Sequence, residues 1–143
     1  MFLDENLHKC EPLLAVLDNA GVRYERHETH FNAGDADAEW LPIVSRNQWI
    51  ILTKDKEIRY NELEISAIIT NKAREFFFRS GNWSGAEMAE ILGKALPKMK
   101  RLVRRTEAPF IASITRSGEV HLRYNKSGSI YAQQKDSRKE TGG

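Results

Sequence analysis

Trp49-Ile50-Ile51-Leu52-Thr53-Lys54-Asp55-Lys56 decides the fold class. Four apolar residues in succession, halted by charge, describe a strand buried on both faces, as in a parallel sheet covered by helices. Working outward, a helix over roughly Glu62 to Asn71 follows, then a strand from Arg74 to Phe78 dominated by Phe76, Phe77 and Phe78. On the amino-terminal side a helix beginning near Asp35 or Asp37 runs to about Arg46. Pro42 is awkward there, because it removes a hydrogen bond and clashes one turn back, so this helix starts late or kinks. Before it, Met1–Leu3 is a short strand, and Asn6 caps a helix through about Ala20 that Gly21 stops, with Leu7, Leu13, Leu14 and Leu17 inward. Val22–Arg26 reads as a second strand and residues 27–36 as loop.

On the carboxyl-terminal side, Ser84 and Glu87 make a capping box, and Trp83 with Met88 occupies the flanking staple positions. That helix runs to about Arg105, with a break at Pro97 left open. Phe110–Arg116 and Glu119–Tyr124 form a hairpin around Ser117-Gly118. The alternation of strands and helices predicts an α/β three-layer sandwich with a mostly parallel central sheet, plus a C-terminal β-hairpin. Residues 1–124 form the domain; 125–143, rich in Ser, Gly, Gln and Lys, read as a basic, disordered tail.

The 143 residues are about the size of one domain, and 41% hydrophobic with 29% charged residues is an ordinary globular composition. No apolar run approaches the roughly 18 residues of a membrane span, so no membrane role is expected. An acid at position 4 and no basic stretch before it argue against a secretory signal. The lone Cys10 excludes an internal disulfide framework and a cysteine-built zinc site, which suits a cytoplasmic protein. The net charge of +2 hides a split: residues 1–93 carry 10 Lys/Arg against 16 Asp/Glu, residues 94–143 carry 12 against 4. An acidic site in one part and an anion-gripping surface in another account for that asymmetry.

In parallel sheets, ligands sit beyond the carboxyl ends of the strands. Strand one ends in Asp4-Glu5-Asn6, strand three in Thr53-Lys54-Asp55, and strand four leads into Ser80-Gly81-Asn82; Asp35, Asp37 and Glu39 start the second helix. Converging carboxylates stay ionised at neutral pH only with a cation between them, and a hard ion such as Mg²⁺ or Mn²⁺ with oxygen ligands meets that need. Each acid also has a plainer role. Asp35 or Asp37 can be a helix cap, Glu39 can favour the helix dipole, and Asn6 can be only a cap. Asp4 and Asp55 resist that reading, since an acid directly after an apolar strand is costly without a partner. His27 and His30 lie on a strand-to-loop segment rather than one helix face, Cys10 has no evident base nearby, and Trp40, Trp49 and Trp83 suit the core. Lys94, Lys98, Arg101 and Arg105 recur at helical spacing, beside Lys100 and Arg104, as a stripe that can track phosphates.

Phe2-Leu3-Asp4-Glu5-Asn6-Leu7, Asp37-Ala38-Glu39-Trp40 and Leu52-Thr53-Lys54-Asp55-Lys56-Glu57-Ile58 resemble the PIN-like nuclease superfamily, with the nearest likeness to VapC-type toxins. Gly81-Asn82-Trp83-Ser84-Gly85-Ala86-Glu87-Met88 and Pro109-Phe110-Ile111-Ala112 extend the likeness to about residue 122. The resemblance implies a metal-dependent endoribonuclease, typically the toxin of a toxin–antitoxin pair. By position, Asp4 and Asp55 would be acidic ligands of Mg²⁺ (or Mn²⁺), Asp37 or Glu39 would supply the acid of the second helix, and Lys54 would face the phosphate. Asn82 falls where many PIN domains carry a further acid, which puts full two-metal chemistry in doubt. RNA is the implied substrate and a small antitoxin the implied partner; a homodimer is left open. The alternative is a PIN-like RNA-binding or regulatory module without catalysis. A phosphotransfer receiver is disfavoured, because the lysine here directly precedes the acid.

Overall fold

The computed structural model describes residues 1–3, 7, 10–26, 37–54, 62–79 and 83–129; for 37–40, 62–64 and 129 it describes the backbone alone. Among the described residues seven strands form one sheet: β1 (Phe2–Leu3), β2 (Glu25–Arg26), β3 (Ile50–Lys54), β4 (Arg74–Phe78), β5 (Phe110–Ile114), β6 (Val120–Asn125) and β7 (Gly128–Ser129). The described helices are α1 (Glu11–Asn19), α2 (Asp37–Arg46), α3 (Glu62–Thr70) and α4 (Gly85–Arg105). The strand order is β2-β1-β3-β4-β5-β6-β7, with β1 to β5 parallel and β6 and β7 antiparallel. The α/β fold with a mostly parallel sheet and terminal hairpin is therefore as the sequence predicts.

Consecutive strand residues feed opposite layers, as the two-residue period of a strand requires. Leu3, Leu52, Phe76, Phe78, Phe110 and Ala112 join α1 and α4 in the larger core. Phe2, Ile51, Phe77 and Ile111 join Leu41 and Val44 of α2 and Ile68 of α3 in the smaller one. Phe76 and Phe110 meet edge to face with centroids 5.4 Å apart, and Phe78 and Trp83 do so at 6.0 Å. Ser113 is the one buried polar side chain among the described residues, and its Oγ accepts from Nε of Arg123 on β6 at 3.0 Å. No helix among the described residues is long and apolar enough to cross a membrane.

Several boundaries differ from the sequence reading, each for a local reason. Asn6 lies outside the described residues, but α1 begins only at Glu11, after Cys10. Pro12 suits the late start: in the first turn of α1 its missing N–H costs nothing, because that group has no partner within the helix. Gly21, at φ 69°, ends α1: its N–H bonds to the Asp18 carbonyl and that of Val22 to the Leu17 carbonyl. That six-to-one closure uses the chain at 22 and confines the second strand to Glu25–Arg26. β3 starts one residue later than expected and ends two residues later, because Thr53 and Lys54 still pair in register with Phe77 and Phe78. Pro42 and Pro97 both sit inside continuous helices, on exposed faces where the carbonyl each leaves without a partner can turn to water. β6 continues through Asn125 and a tight turn pairs it with β7, so strand structure reaches past residue 124; residues 130–143 of the expected tail lie outside the described residues.

The start of α4 matches its motif. The Glu87 N–H donates to Ser84 Oγ at 3.1 Å and the Ser84 N–H to Glu87 Oε1 at 3.2 Å, while Trp83 and Met88 are both buried. The Glu87 carboxyl is held below its ordinary value first by the Ser84 backbone bond, then by the Ser84 side chain, with Arg116 also contributing. Replacing Ser84 with Ala is expected to cost ~1 kcal/mol in urea unfolding at neutral pH. Because the Glu87 pKa is depressed on folding, its contribution is present above the ordinary carboxylate range and is lost as pH falls through the depressed value. Alanine keeps the backbone N–H that Glu87 accepts from, so only the part of the difference that comes through the Ser84 side chain should shrink in acid.

Candidate functional site

The sheet has one point where chain direction across it reverses. From β1 the chain moves outward to β2, then returns across β1 to β3 and proceeds toward β7. In open parallel sheets the ligand crevice lies beyond the carboxyl ends of the strands at such a point. Here that is the gap between β1 and β3, which pair in parallel with Leu3 opposite Leu52. The residue after β1 is Asp4 and the residue after β3 is Asp55.

The helix between β2 and β3 packs against the same two strands, its Leu41 and Val44 clustered with Phe2 and Ile51. Its carboxyl end passes into β3 through Asn47, Gln48 and Trp49, with the Trp49 N–H bonded back to the Val44 carbonyl. α2 therefore runs antiparallel to β3. Its 10 residues span about 15 Å, close to the roughly 17 Å of the five residues of β3. α2 thus leads back along β3 from their junction, with Asp37 and the first-turn N–H groups at its far end.

The sequence candidates fall as follows. Lys54 is half-buried at the last position of β3 and forms no ion pair among the described residues. Asp37 and Glu39 belong to the first turn of α2, their side chains outside the described set; Asp4, Asp55 and Asn82 lie outside the described residues altogether. Among the described residues no group of three His, Cys, Asp or Glu side chains could hold a metal ion. Of the other candidates, Cys10 is a half-buried thiol just before α1, His121 is exposed on β6, and Trp83 is a core residue. His27, His30 and Asp35 lie outside the described residues, as does the side chain of Trp40.

The family model described as PIN like domain matches residues 1–80, more than half of the chain, from β1 past the end of β4. The chain belongs to the PIN-like domain family. No curated protein and no solved structure matches it. PIN-like domains are generally nucleases, and those nucleases generally use divalent metal ions. The match takes in the stretch containing Asp4, Asp37, Glu39, Lys54 and Asp55, and it ends before Asn82, α4 and the hairpin.

In this PIN-like chain the basic stripe of α4 divides in two. Lys94 pairs with Glu90 at 3.6 Å and Lys98 with Glu119 of the hairpin. Arg101 and Arg105 are exposed and make no ion pair among the described residues. The Glu119 carboxyl is held below its ordinary value chiefly by the Lys98 hydrogen bond. What sequence reading passed over is the opposite, amino-terminal edge of the sheet, where Lys72, Arg74 and Arg104 join Arg105 around a cleft. Cations at successive helix–strand junctions are the signal that would have found it.

Proposed function

We propose that this chain is a metal-dependent endoribonuclease of the VapC type, the toxin of a toxin–antitoxin pair, hydrolysing RNA phosphodiesters at the β1/β3 edge. The observation that carries the reading is that β1 and β3 are adjacent parallel strands at the reversal of strand order, and the residue following each is an aspartate. Aspartates that directly follow two neighbouring strands offer hard oxygens of the kind that suits Mg²⁺ or Mn²⁺.

In this reading Asp4 and Asp55 hold the ion, with Asp37 or Glu39 as the further carboxylate. A bound divalent ion supplies Lewis acidity toward the phosphoryl oxygens and lowers the pKa of water. Lys54 holds a fixed positive charge beside the phosphate, where preorganised charge is worth most once water is displaced. The stripe of Lys94, Lys98, Arg101 and Arg105 contacts the RNA backbone without reading its sequence, and the basic residues of 130–143 add to it. An antitoxin would silence the enzyme by covering the acidic rim or inserting a basic side chain there.

A fluorescent RNA-cleavage assay tests this. Cleavage with Mg²⁺ should stop on adding EDTA and return when Mg²⁺ is restored in excess. Cleavage that persists in EDTA overturns the metal-dependent reading. Salt-sensitive RNA binding with no cleavage in either condition instead supports a non-catalytic PIN-like module, which Asn82 in place of a further acid favours.

A further inference from the structure

The amino-terminal edge of the sheet carries a cleft of about 700 Å³, remote from the carboxyl edge where the proposed nuclease site lies. It is walled by the segments that enter three successive strands: Gln48 and Trp49 before β3, Lys72 before Arg74 of β4, and Arg104 and Arg105 at the end of α4. Four cations thus face one hollow. The carboxylate in the lining, Glu107, is 3.6 Å from Lys126. A cleft lined by one sign of charge focuses the field and concentrates counter-ions of the other sign.

Helix dipoles account for part of this, since Lys72 follows α3 and Arg104 and Arg105 close α4. They do not account for the rest. Arg74 is a strand residue, half-buried, and its guanidinium donates to the Gln48 carbonyl. Gln48 and Lys72 both hold left-handed backbone conformations, at φ 57° and 54°, in six-to-one closures of α2 and α3. A non-glycine residue is strained there, and both such positions among the described residues wall the same cleft. Trp49 is a partly exposed aromatic residue of the lining, its ring parallel to that of Phe2 with planes 2° apart.

A positive groove with an aromatic wall is the arrangement that binds single-stranded nucleic acid through phosphates and base stacking. The half of the α4 stripe without ion pairs leads into it, because Arg105 belongs to both. We propose that this cleft is a second, non-catalytic site for single-stranded nucleic acid, gripping phosphates with Lys72, Arg74, Arg104 and Arg105 while the strand reaches the opposite edge for cleavage. The proposal rests on the nucleic-acid reading of the stripe and does not need the metal chemistry.

The test is fluorescence anisotropy of full-length protein with a fluorescein-labelled 12-nucleotide oligouridylate, in EDTA so that cleavage does not intrude. Lys72→Gln and Arg105→Gln should each weaken binding several-fold and lower the slope of log K against log salt by about 0.7. Arg116→Gln, a charge change on the hairpin where Arg116 pairs with Glu87, should leave both unchanged. Oligouridylate should also change tryptophan emission in wild type but not in Trp49→Phe. Thermal melts of each variant confirm folding. An effect of Arg105→Gln without one of Lys72→Gln reduces the site to the helix stripe and overturns the proposal. So does competition at equal concentration by polyglutamate or by uridine monophosphate, which would mark a general acidic-partner site or a mononucleotide pocket. Loss of cleavage in the separate Mg²⁺ assay, with binding intact, strikes the nuclease reading alone.

Discussion

Asp4→Asn and Asp55→Asn are each expected to lower Mg²⁺-dependent RNA cleavage by at least ~100-fold while leaving the protein folded. The estimate follows the cost of removing one preorganised electrostatic group from a catalytic site, which is ~10²–10³ in rate. Asparagine keeps the size of the side chain and one carbonyl oxygen but removes the negative charge that balances the ion. Strand β1 contributes only Phe2 and Leu3, both fully buried, so its fold energy resides in those residues rather than in the acid that follows. Circular dichroism and urea midpoints should therefore stay near wild type as the cleavage rate collapses. Unchanged cleavage in both variants would remove these aspartates from the mechanism.

The largest stability effect is expected at Phe76. Its side chain is fully buried in the centre of β4, in the core shared with α1 and α4 and edge-on to Phe110. Phe76→Ala removes that ring and leaves a cavity between two layers that cannot collapse onto each other, at a cost of ~3–5 kcal/mol. Against a total stability of ~5–15 kcal/mol, this should shift the urea midpoint strongly or prevent folding. Phe76→Leu keeps more of the volume and should retain the fold with a smaller loss. A cost below about 1 kcal/mol for the alanine variant would contradict the two-layer core.

Strong local signals made much of this architecture legible. The apolar runs Ile50–Leu52 and Phe76–Phe78 have no polar face, and only a sheet covered on both sides buries them. Ser84 and Glu87 fixed the start of α4 to the residue, because two backbone N–H groups depend on them. Pro12 should have outweighed Asn6 in placing α1, since a proline has one favoured helical position and an asparagine has many uses. The end of β3 was missed because Thr53 and Lys54 are polar, while strand pairing runs through backbone groups that side-chain polarity does not reveal.

The site divides in the same way. That Asp4 and Asp55 each follow a strand, on the same edge of the sheet, was readable once the alternation of strands and helices was accepted. The neighbour relation itself depends on the crossover from β2 back past β1, which no local pattern states. The α4 stripe was readable from its helical spacing, and so was Glu90 four residues before Lys94, but the partner of Lys98 was not, because Glu119 comes from the hairpin. The amino-edge cleft was invisible for a stronger reason. Its cations come from two junctions, residues 72–74 and 104–105, a third supplies the carbonyl of Gln48, and only the sheet brings those together.

The central claim is that the acids following β1 and β3 jointly hold a divalent ion. Its most direct test is a Mn²⁺ titration followed by electron paramagnetic resonance, in which free Mn²⁺ gives the six-line signal. Wild type should deplete that signal, Mg²⁺ should compete, and Asp4→Asn and Asp55→Asn should each lose most of the binding. Equal Mn²⁺ binding by wild type and both variants, or none by wild type, would contradict it.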